Sequence, residues 1–296
     1  IVDVYEAGGF VIIQDPTSAS FDGMPKNAMA TNKFHRIVDP KGIPAVLAQF
    51  LRNPDELYLE RPMDDYFYSN NAYNEIFMMI FSRFHINFHD YKGTTIKRRV
   101  ERRIKLLGLT NLDEYLIFLR ENTQEVLNLC NDLLIGVTNF FRDTKAFDLL
   151  ENQIFPELIE SIPPEQTEVR VWVAACSTGE EVYSMAIILQ EIIESIGRPL
   201  SIKIFGSDVN KDFLEVASKG IYTEEQMEGV SQERRSRFFN VVGEKYEVKK
   251  QIRSHVVFAP HNLLIDAPFT RMDFASCRNF MMYVQGEAQK KVLSLL

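Results

Sequence analysis

Cysteine is scarce in this sequence, which has three such residues among 296: Cys130, Cys176 and Cys277. An odd number of widely spaced cysteines argues against a disulfide framework and for a reducing compartment. No apolar run approaches the roughly 18 residues that a membrane-spanning helix needs, and no signal peptide opens the chain. These absences predict a cytoplasmic protein, or an excised piece of one.

An excess of positive charge is absent too. The sequence has 33 Lys and Arg residues against 41 Asp and Glu residues, and its net charge of −8 argues against a general nucleic-acid binder. A local basic patch remains compatible with that balance. The hydrophobic share of 46% is typical of a globular protein, and the length allows one large domain or two smaller ones.

Composition and periodicity divide the chain into an N-terminal segment, a polar linker, a helical subdomain and an α/β domain, at 1–52, 53–66, 67–150 and 151–296. In the last of these, strands and helices alternate, which favours a parallel sheet covered by helices. Residues 222–258 within it are irregular and charged, and they predict a small inserted β-subdomain built on a hairpin.

The turn between the first strand and helix of the α/β domain lacks the glycines of a dinucleotide-binding fingerprint. In VRVWVAACSTGEEVYSMAIIL (169–189) only Gly179 is present, and a P-loop would need a lysine where Glu180 and Glu181 stand. Two carboxylates would repel a phosphate, so they suit a positively charged ligand that has none. Both glutamates could equally do no more than complement the helix dipole.

Asp208, at the end of the next predicted strand (SIKIFGSD), favours a nucleoside ligand. An acidic residue at this place in such a fold hydrogen-bonds a ribose diol. Adenosine with its ribose, a cationic tail and no phosphate describes S-adenosylmethionine. Taken alone, Asp208 could instead cap the following helix, KDFLEVASKG.

Several linked motifs resemble the chemotaxis-receptor glutamate methyltransferases of the CheR family. The resemblance extends from about residue 73 to 296, and its motifs are TTIKRRVERRI (94–104), VTNFFRD (137–143), ACSTGEEVYSMA (175–186), SDVN (207–210), GIY (220–222), HNLL (261–264) and CRNFMMY (277–283). It implies an α/β methyltransferase fold, which is a doubly wound, mostly parallel sheet with an N-terminal helical subdomain and a small inserted β-subdomain. Two residues depart from the family pattern. Val182 stands where proline is frequent, and Gly136 stands where an asparagine can contact the cofactor.

The resemblance implies S-adenosylmethionine as the cofactor and S-adenosylhomocysteine as its product. Glu180 would accept hydrogen bonds from the cofactor's amino group, and Asp208 from its ribose hydroxyls. The cofactor's methionine end, its adenosine and the methyl-transfer site would be framed by Thr138, Arg142, Asn262, Leu263, Asn279 and Phe280. Among these, Arg142 would lie near the cofactor carboxylate, and Arg142 and Asn279 are the candidate catalytic residues.

Some residues of these motifs also have structural interpretations. Phe140 and Phe141 are more typical of a core than of a ligand contact. Arg142 could form a surface ion pair with Asp143, and Asn262 could cap a turn.

The implied reaction needs no proton transfer. A glutamate side chain is already ionised at neutral pH, so it can displace the sulfonium methyl group directly. The protein can contribute by orienting the reactants and by stripping water from the carboxylate. The sequence shows no compact His/Asp or Cys/His arrangement and predicts no metal site. His261 and Cys277 are expected to have structural roles.

A basic stretch, KGTTIKRRVERRIKLLG (92–108), predicts a helix with one apolar face at Ile96, Val100, Ile104 and Leu107. Its candidate substrate-binding residues are Arg98, Arg99, Arg102 and Arg103. In the family, the corresponding helix faces the glutamate-rich methylation region of receptor helices, so the resemblance implies an acidic receptor as partner. The alternatives are a merely solvated charged face, and nucleic acid as a rival partner.

Residues 1–52 resemble a different family, the receptor methylesterases of the CheB family, at its C-terminal end. The matching stretches are EAGGFVIIQDP (6–16) and FDGMPKNAMATN (21–32), followed by a predicted helix at 43–51. The esterase triad precedes this region in the family, which implies a catalytically silent remnant of a larger fused protein. The strand predicted at 10–14 has no predicted neighbour, so we expect it to pack on the methyltransferase region or on another copy of the chain.

The resemblance therefore implies a protein-glutamate O-methyltransferase that modifies chemoreceptor-type signalling proteins during sensory adaptation, without membrane insertion. Two alternatives remain open. The chain could be a non-catalytic module that binds cofactor or receptor within a fused esterase/methyltransferase protein, or it could methylate another acid or protein.

Overall fold

The computed structural model describes residues 1–6, 10–31, 34–52 and 71–296. These residues form two compact units, Ile1–Val126 and Leu127–Leu296. The linker predicted at 53–66 lies outside the described residues. Among the helices that are described, none has the length and apolar character that crossing a membrane requires.

The first unit begins with a small α/β element. Its helices and strands are α1 (Val2–Glu6), β1 (Ile12–Gln14), α2 (Gly23–Ala30), β2 (Arg36–Val38) and α3 (Ile43–Arg52). β1 and β2 pair in parallel, with Ile13 opposite Ile37, and Val11, Ile13, Ala28 and Phe34 form a buried cluster. The expectation that the first strand has no neighbour is therefore wrong. A three-residue strand that begins with arginine is too short to show a periodic pattern in the sequence.

Residues 71–133 are helical, as predicted, and form α4 (Asn71–Phe84), α5 (Gly93–Leu106), α6 (Leu112–Glu121) and α7 (Thr123–Leu133). α5 is the basic helix. Its predicted apolar face is confirmed at Ile96, Val100 and Ile104, which are buried, whereas Leu107 lies just after the helix and is exposed. The spacing of three to four residues between buried positions is what places them on one side of a helix.

A buried ion pair joins α5 to α7. The Arg103 guanidinium donates from Nε to Glu125 Oε1 over 2.8 Å and from Nη2 to Oε2 over 2.5 Å. The hydroxyl of Tyr115, on α6, donates to Oε1 over 2.8 Å, and burial together with this carboxylate raises the pKa of Tyr115 far above its ordinary value. Glu125 is only 3% exposed. Arg103, which was predicted to bind substrate, is thus paired with Glu125 of the same helical region.

The second unit is built on a parallel sheet. Its elements are α8 (Thr144–Leu149), α9 (Phe155–Ser161), β3 (Glu168–Ala174), α10 (Glu180–Ile196), β4 (Ser201–Asp208), α11 (Lys211–Lys219), β5 (Ile221–Thr223), α12 (Gln232–Phe238), β6 (Phe239–Val242), β7 (Lys245–Val248), α13 (Lys250–Arg253), β8 (Val256–Pro260), β9 (Phe274–Ser276) and α14 (Gly286–Leu295). The strand order is β8-β4-β3-β9, with every pairing parallel.

This order creates a switch point beside β3. The chain adds β4 and β8 on one side of β3 and then returns to add β9 on the other. In open parallel sheets, ligands bind outside the carboxyl ends of the strands at such a point. β3 itself is buried on both faces, since Val171, Trp172 and Val173 are at most 1% exposed, which explains its continuous apolar sequence.

The inserted β-subdomain is an antiparallel sheet of order β5-β7-β6. The predicted hairpin is β6 and β7, and Gly243 in its turn has a positive φ of 62°. Residues 256–258, which the sequence grouped with the insert, belong to β8 of the parallel sheet. A short apolar run such as VVFAP does not reveal from its own pattern which strand it pairs with.

Glu125→Gln is expected to lower the free energy of unfolding by about 3 kcal/mol, because Arg103 would keep its charge in a buried place without a carboxylate. Chemical denaturation followed by circular dichroism measures this loss.

The matched control is Glu75→Gln, which removes an equally bidentate pair with Arg120, at 2.7 and 2.8 Å, on the helical surface. Both side chains of that pair are exposed, so water replaces the lost partner and little change is expected. Equal losses in the two variants would contradict the explanation by burial.

Candidate active site

The predicted cofactor residues of the second unit follow strands that end at the same edge of the sheet. Glu180 begins the helix after β3, and Asp208 is the last residue of β4. Asn262 follows β8 by two residues, and Asn279 follows β9 by three. Since all four strands are parallel, the topology brings these residues to one edge.

Several residues at this edge have positive φ angles. Ala175 (φ 53°), Ser177 (φ 51°) and Gly179 (φ 91°) lie in the turn after β3, and Asn279 (φ 60°) lies in the segment after β9. Left-handed conformations cost non-glycine residues roughly 1–3 kcal/mol each and cluster where a ligand is held. A Cβ on Gly179 would also lie 2.8 Å from the Cβ of Ala217, so this turn requires glycine there.

Asp208 ties the turn to β4. Its Oδ2 accepts from the Ser177 N–H over 2.8 Å, and its Oδ1 accepts from the Asn210 N–H over 2.9 Å. Burial raises the pKa of Asp208 above its ordinary value, while these hydrogen bonds lower it. The alternative that Asp208 caps the following helix is wrong. The cap is Asn210, whose side chain accepts from the Asp212 and Phe213 N–H groups at the start of α11.

Glu180 is completely buried at the first position of α10. Its Oε2 accepts from the Thr178 hydroxyl over 2.7 Å, and its Oε1 accepts from the Gln226 side-chain amide over 2.8 Å. Burial raises the pKa of Glu180, and the two hydrogen bonds oppose that shift. Gln226 lies in the inserted β-subdomain, and no pattern in the sequence pointed to it.

Glu181, next to it, binds different partners. Its Oε1 accepts from the Ser276 hydroxyl over 2.6 Å, and Arg278 Nη1 lies 3.5 Å from its Oε2. Arg278 also donates from Nη2 to the Arg142 carbonyl over 2.8 Å and to Asp143 over 2.9 Å. Asp143 therefore pairs with Arg278, where the sequence had suggested Arg142. Arg278 was inside a quoted motif, but only the fold reveals this contact.

The turn VTNFFRD (137–143) is anchored by its aromatic residues. Phe140 and Phe141 are buried, as predicted, and Phe140 packs edge-on against Tyr222 with 4.9 Å between ring centroids. The Arg142 guanidinium donates to the Val137 carbonyl over 2.7 Å. That bond spans Thr138 and gives the turn a compact shape.

The segment after β8 is a side-chain-capped turn. Asn262 Oδ1 accepts from the Leu264 N–H over 3.0 Å, and the Asn262 N–H donates to Asp266 over 2.7 Å, so the capping interpretation is confirmed. Leu263 is buried. His261 packs edge-on against Trp172 at 5.3 Å between ring centroids, which fits its expected structural role.

Gly136 is explained by packing. A Cβ at this position would overlap the ring of Phe213, on α11, so an asparagine could not be accommodated unless that ring moved. The Gly136 carbonyl also accepts from the Ser177 hydroxyl over 3.0 Å. Val182, the other departure from the family pattern, is fully buried in α10.

Two further residues of the motif CRNFMMY (277–283) are Cys277 and Phe280. Phe280 is half-buried beside Asn279, and burial raises the pKa of the Cys277 thiol to about 12, so that thiol stays protonated. Within the described residues, no group of His, Cys, Asp and Glu side chains is arranged to hold a metal ion.

Gly136→Ala is expected to lower the free energy of unfolding by about 1–3 kcal/mol, because the new methyl group overlaps the Phe213 ring. The same change in a Phe213→Leu background should cost distinctly less, since leucine lacks the outer ring atoms. Denaturation of the four proteins gives the coupling energy. Additive costs would show that Phe213 is not the obstacle.

Family models match three stretches of the chain. The CheR methyltransferase SAM-binding domain matches residues 136–296, the CheR methyltransferase all-alpha domain matches 71–134, and the CheB methylesterase matches 1–47. The last match agrees with the esterase resemblance of the N-terminal segment.

Curated relatives agree with these matches. An uncharacterized 104.1 kDa protein of Rhodobacter capsulatus, in the hypE 3′ region, is 36% identical over 98% of this chain and 32% of its own length. The chain thus spans about a third of that relative. The chemotaxis protein methyltransferases of Borreliella burgdorferi and Escherichia coli are 32% and 33% identical, over 74% and 76% of this chain and 80% and 78% of their own lengths. Matched over more than half of its length by the SAM-binding domain, the chain belongs to the CheR methyltransferase family.

Proposed function

We propose that this chain is an S-adenosylmethionine-dependent O-methyltransferase that forms methyl esters on glutamate side chains of chemoreceptor-type signalling proteins. The observation that carries the proposal is the pair of buried carboxylates, Glu180 and Asp208, at the carboxyl edge of the parallel sheet. The names of the chemotaxis protein methyltransferases among the relatives support the same reaction.

The groups around these carboxylates fit S-adenosylmethionine. Asp208 accepts from backbone N–H groups, and Glu180 accepts from the neutral side chains of Thr178 and Gln226. A carboxylate has about four acceptor positions, so each retains capacity for a ligand. A buried negative charge held by neutral donors favours a cationic ligand and disfavours a phosphate. A nucleoside with an amino group and a positively charged sulfur meets both conditions.

When bound, S-adenosylmethionine supplies a methyl group on a positively charged sulfur. In the proposed arrangement Glu180 accepts a hydrogen bond from the amino group of this cofactor, and Asp208 accepts from its ribose hydroxyls. Thr138 and Arg142 close over the methionine end, where the Arg142 guanidinium pairs with the cofactor carboxylate. Opposite charges at both ends of the amino acid would fix its orientation.

Asn262 with Leu263, and Asn279 with Phe280, are proposed to frame the adenosine and the site of methyl transfer. We propose Arg142 and Asn279 as the catalytic residues, because they would border the reacting methyl group. The substrate glutamate is ionised at neutral pH and needs no general base. These side chains would therefore act by orientation and by excluding water from the attacking carboxylate.

The receptor is proposed to dock on the basic helix α5. A surface depression of about 630 Å³ there is lined by Arg98, Arg99, Glu101, Arg102, Lys105 and Leu106. The lining has four cationic side chains and one acidic side chain, although the chain as a whole has a net charge of −8. This local positive charge would attract an acidic partner. Arg103 contributes less to such a face, because Glu125 neutralises its guanidinium.

The N-terminal segment at 1–52 is proposed to be catalytically silent in a larger protein that joins esterase and methyltransferase modules, with 53–66 as its linker. The proposed methyltransferase consists of the helical subdomain at 67–150 and the cofactor-binding domain at 151–296. We propose the cytoplasm as the site of action, since Cys130, Cys176 and Cys277 are free thiols and thiols persist in a reducing compartment.

Asp208→Asn and Glu180→Gln are each expected to weaken S-adenosylhomocysteine binding by roughly ten- to hundredfold, because a hydrogen bond to a charged group contributes about 1.5–3 kcal/mol. Isothermal titration calorimetry measures the affinities. Both substitutions keep the shape of the side chain, so the unfolding temperature of the ligand-free protein separates lost contacts from a disturbed fold.

The matched control is Glu215→Gln, which removes an exposed carboxylate on α11 that pairs with Lys219. It should leave the affinity at the value of the parent protein. Unchanged affinity in both the Asp208 and Glu180 variants would show that the cofactor binds elsewhere.

Charge reversal at Arg98 and Arg102 is expected to lower the rate of receptor methylation and to flatten its dependence on salt, because exposed charges act over a Debye length of about 8–10 Å. The cofactor affinity should not change. The control is a double reversal at Lys219 and Lys290, which are exposed lysines of the second unit and give the same change in net charge. If both double variants lose rate equally at low salt, the effect belongs to net charge and not to α5.

A further inference from the structure

The inserted β-subdomain holds the turn that precedes α10. Gln226, just after β5, donates from Nε2 to Glu180 Oε1 over 2.8 Å. Tyr222, on β5, donates from its hydroxyl to the Thr178 carbonyl over 2.8 Å and is fully buried. The insert therefore holds both the backbone of the turn and the carboxylate that follows it.

Gln226 is anchored at its other end. Its Oε1 accepts from the Thr223 N–H over 3.0 Å and lies 3.3 Å from the Thr223 hydroxyl. An amide has one acceptor oxygen and one donor nitrogen, so binding the oxygen to Thr223 leaves the nitrogen facing Glu180. The following residue, Met227, is fully buried and fixes the chain at this place.

We propose that Gln226 is a positioning residue for the cofactor: its amide holds the Glu180 carboxylate in the orientation that accepts the amino group of S-adenosylmethionine. This inference rests on the proposed function, because it requires Glu180 to bind that amino group. Gln226 acts through Glu180 and uses one of its acceptor positions, while others remain for the ligand.

The hydrogen bond from Gln226 also affects the pKa of Glu180. Burial raises the pKa of Glu180, and hydrogen bonds from Thr178 and Gln226 oppose the shift. Only the ionised carboxylate attracts an ammonium group fully, so affinity is present above the pKa of Glu180 and is lost as the pH falls through it. Removing the Gln226 donor raises that pKa, and the loss of affinity then begins at a higher pH.

Other titratable groups near Glu180 are Glu181 on the same helix, Cys176 in the turn before it and Tyr222 on β5. Burial raises the pKa of the Cys176 thiol and of the Tyr222 hydroxyl well above their ordinary values, so both stay neutral across the pH range of a carboxyl group. Glu181 is held by the Ser276 hydroxyl, and its own pKa is raised by burial. The ionisation of Glu181, and that of Asp208, whose pKa is also raised by burial, is common to the parent and Gln226→Leu, so comparison of these two proteins isolates Glu180.

The experiment is calorimetric titration of the full chain with two probes. S-adenosylhomocysteine carries the amino acid, and 5′-methylthioadenosine has the same nucleoside and sulfur without it. Gln226→Leu is expected to weaken S-adenosylhomocysteine about tenfold, to leave 5′-methylthioadenosine unchanged, and to move the acidic loss of affinity to higher pH. Gln226→Glu, which keeps an acceptor for Thr223 and places a second carboxyl group against Glu180, should show the same selectivity with a larger loss, because the two groups cannot both ionise at that distance.

Glu225→Gln is the matched control, since it removes an exposed carboxylate from the neighbouring position and should resemble the parent with both probes. Equal weakening of both probes by Gln226→Leu, or an unaltered pH profile, would assign Gln226 a purely structural role and overturn the inference. If Glu180→Gln discriminates between the probes and neither Gln226 variant does, the inference fails while the proposed function stands. If Glu180→Gln shows no discrimination, Glu180 does not bind the amino group, and that part of the proposed function fails.

Discussion

The Asp208 side chain accepts a backbone hydrogen bond just beyond the point where the pairing between the two central strands, β3 and β4, ends. The last paired residues are Ala174 and Ser207, and the Cys176 N–H still donates to the Ser207 carbonyl over 2.9 Å. The next available N–H, that of Ser177, donates to the Asp208 carboxylate over 2.8 Å. Because this carboxylate is buried, it needs such donors to stay ionised. The turn shape that supplies the donor is also the shape that starts α10.

The positive φ angles of this turn follow from that arrangement. Ala175 and Ser177 are held in left-handed conformations so that successive N–H groups point at β4, and Gly179 then allows the chain to enter the helix. Glu180 and Glu181 come next, and adjacent residues of a helix point about 100° apart. One carboxylate therefore faces the insert and the other faces the segment after β9, where Arg278 links it to the turn at Arg142 and Asp143. Two neighbouring acidic residues thereby hold two separate loops at the same edge of the sheet.

The same helical geometry separates the charges of α5. Arg103 lies next to the buried apolar face of the helix and reaches Glu125 on α7. Arg98 and Arg102 lie on the exposed side of the helix. A buried ion pair needs complete hydrogen bonding to offset its desolvation, and Tyr115 completes it here. Stability and the proposed receptor recognition therefore use different members of one arginine cluster.

The class of fold could be predicted from local patterns in the sequence. Alternation of strands and helices predicts a parallel sheet, and residues that follow parallel strands must meet at one edge. Glu180 and Asp208 were predicted as ligand-binding residues from such positions, whereas Asn262 and Asn279 were predicted only through motifs that resemble the CheR family. The apolar stripe of α5 was predictable for a similar reason, because helical period depends only on local spacing.

Contacts between side chains from distant segments could not be predicted from the sequence. The pairing of β1 with β2, the assignment of VVFAP to the parallel sheet, the contact of Phe213 with Gly136, and the hydrogen bond from Gln226 to Glu180 join segments far apart in the chain. No local pattern encodes such contacts, because each depends on the packing of whole elements and on which partner is left within hydrogen-bonding distance once the core has formed.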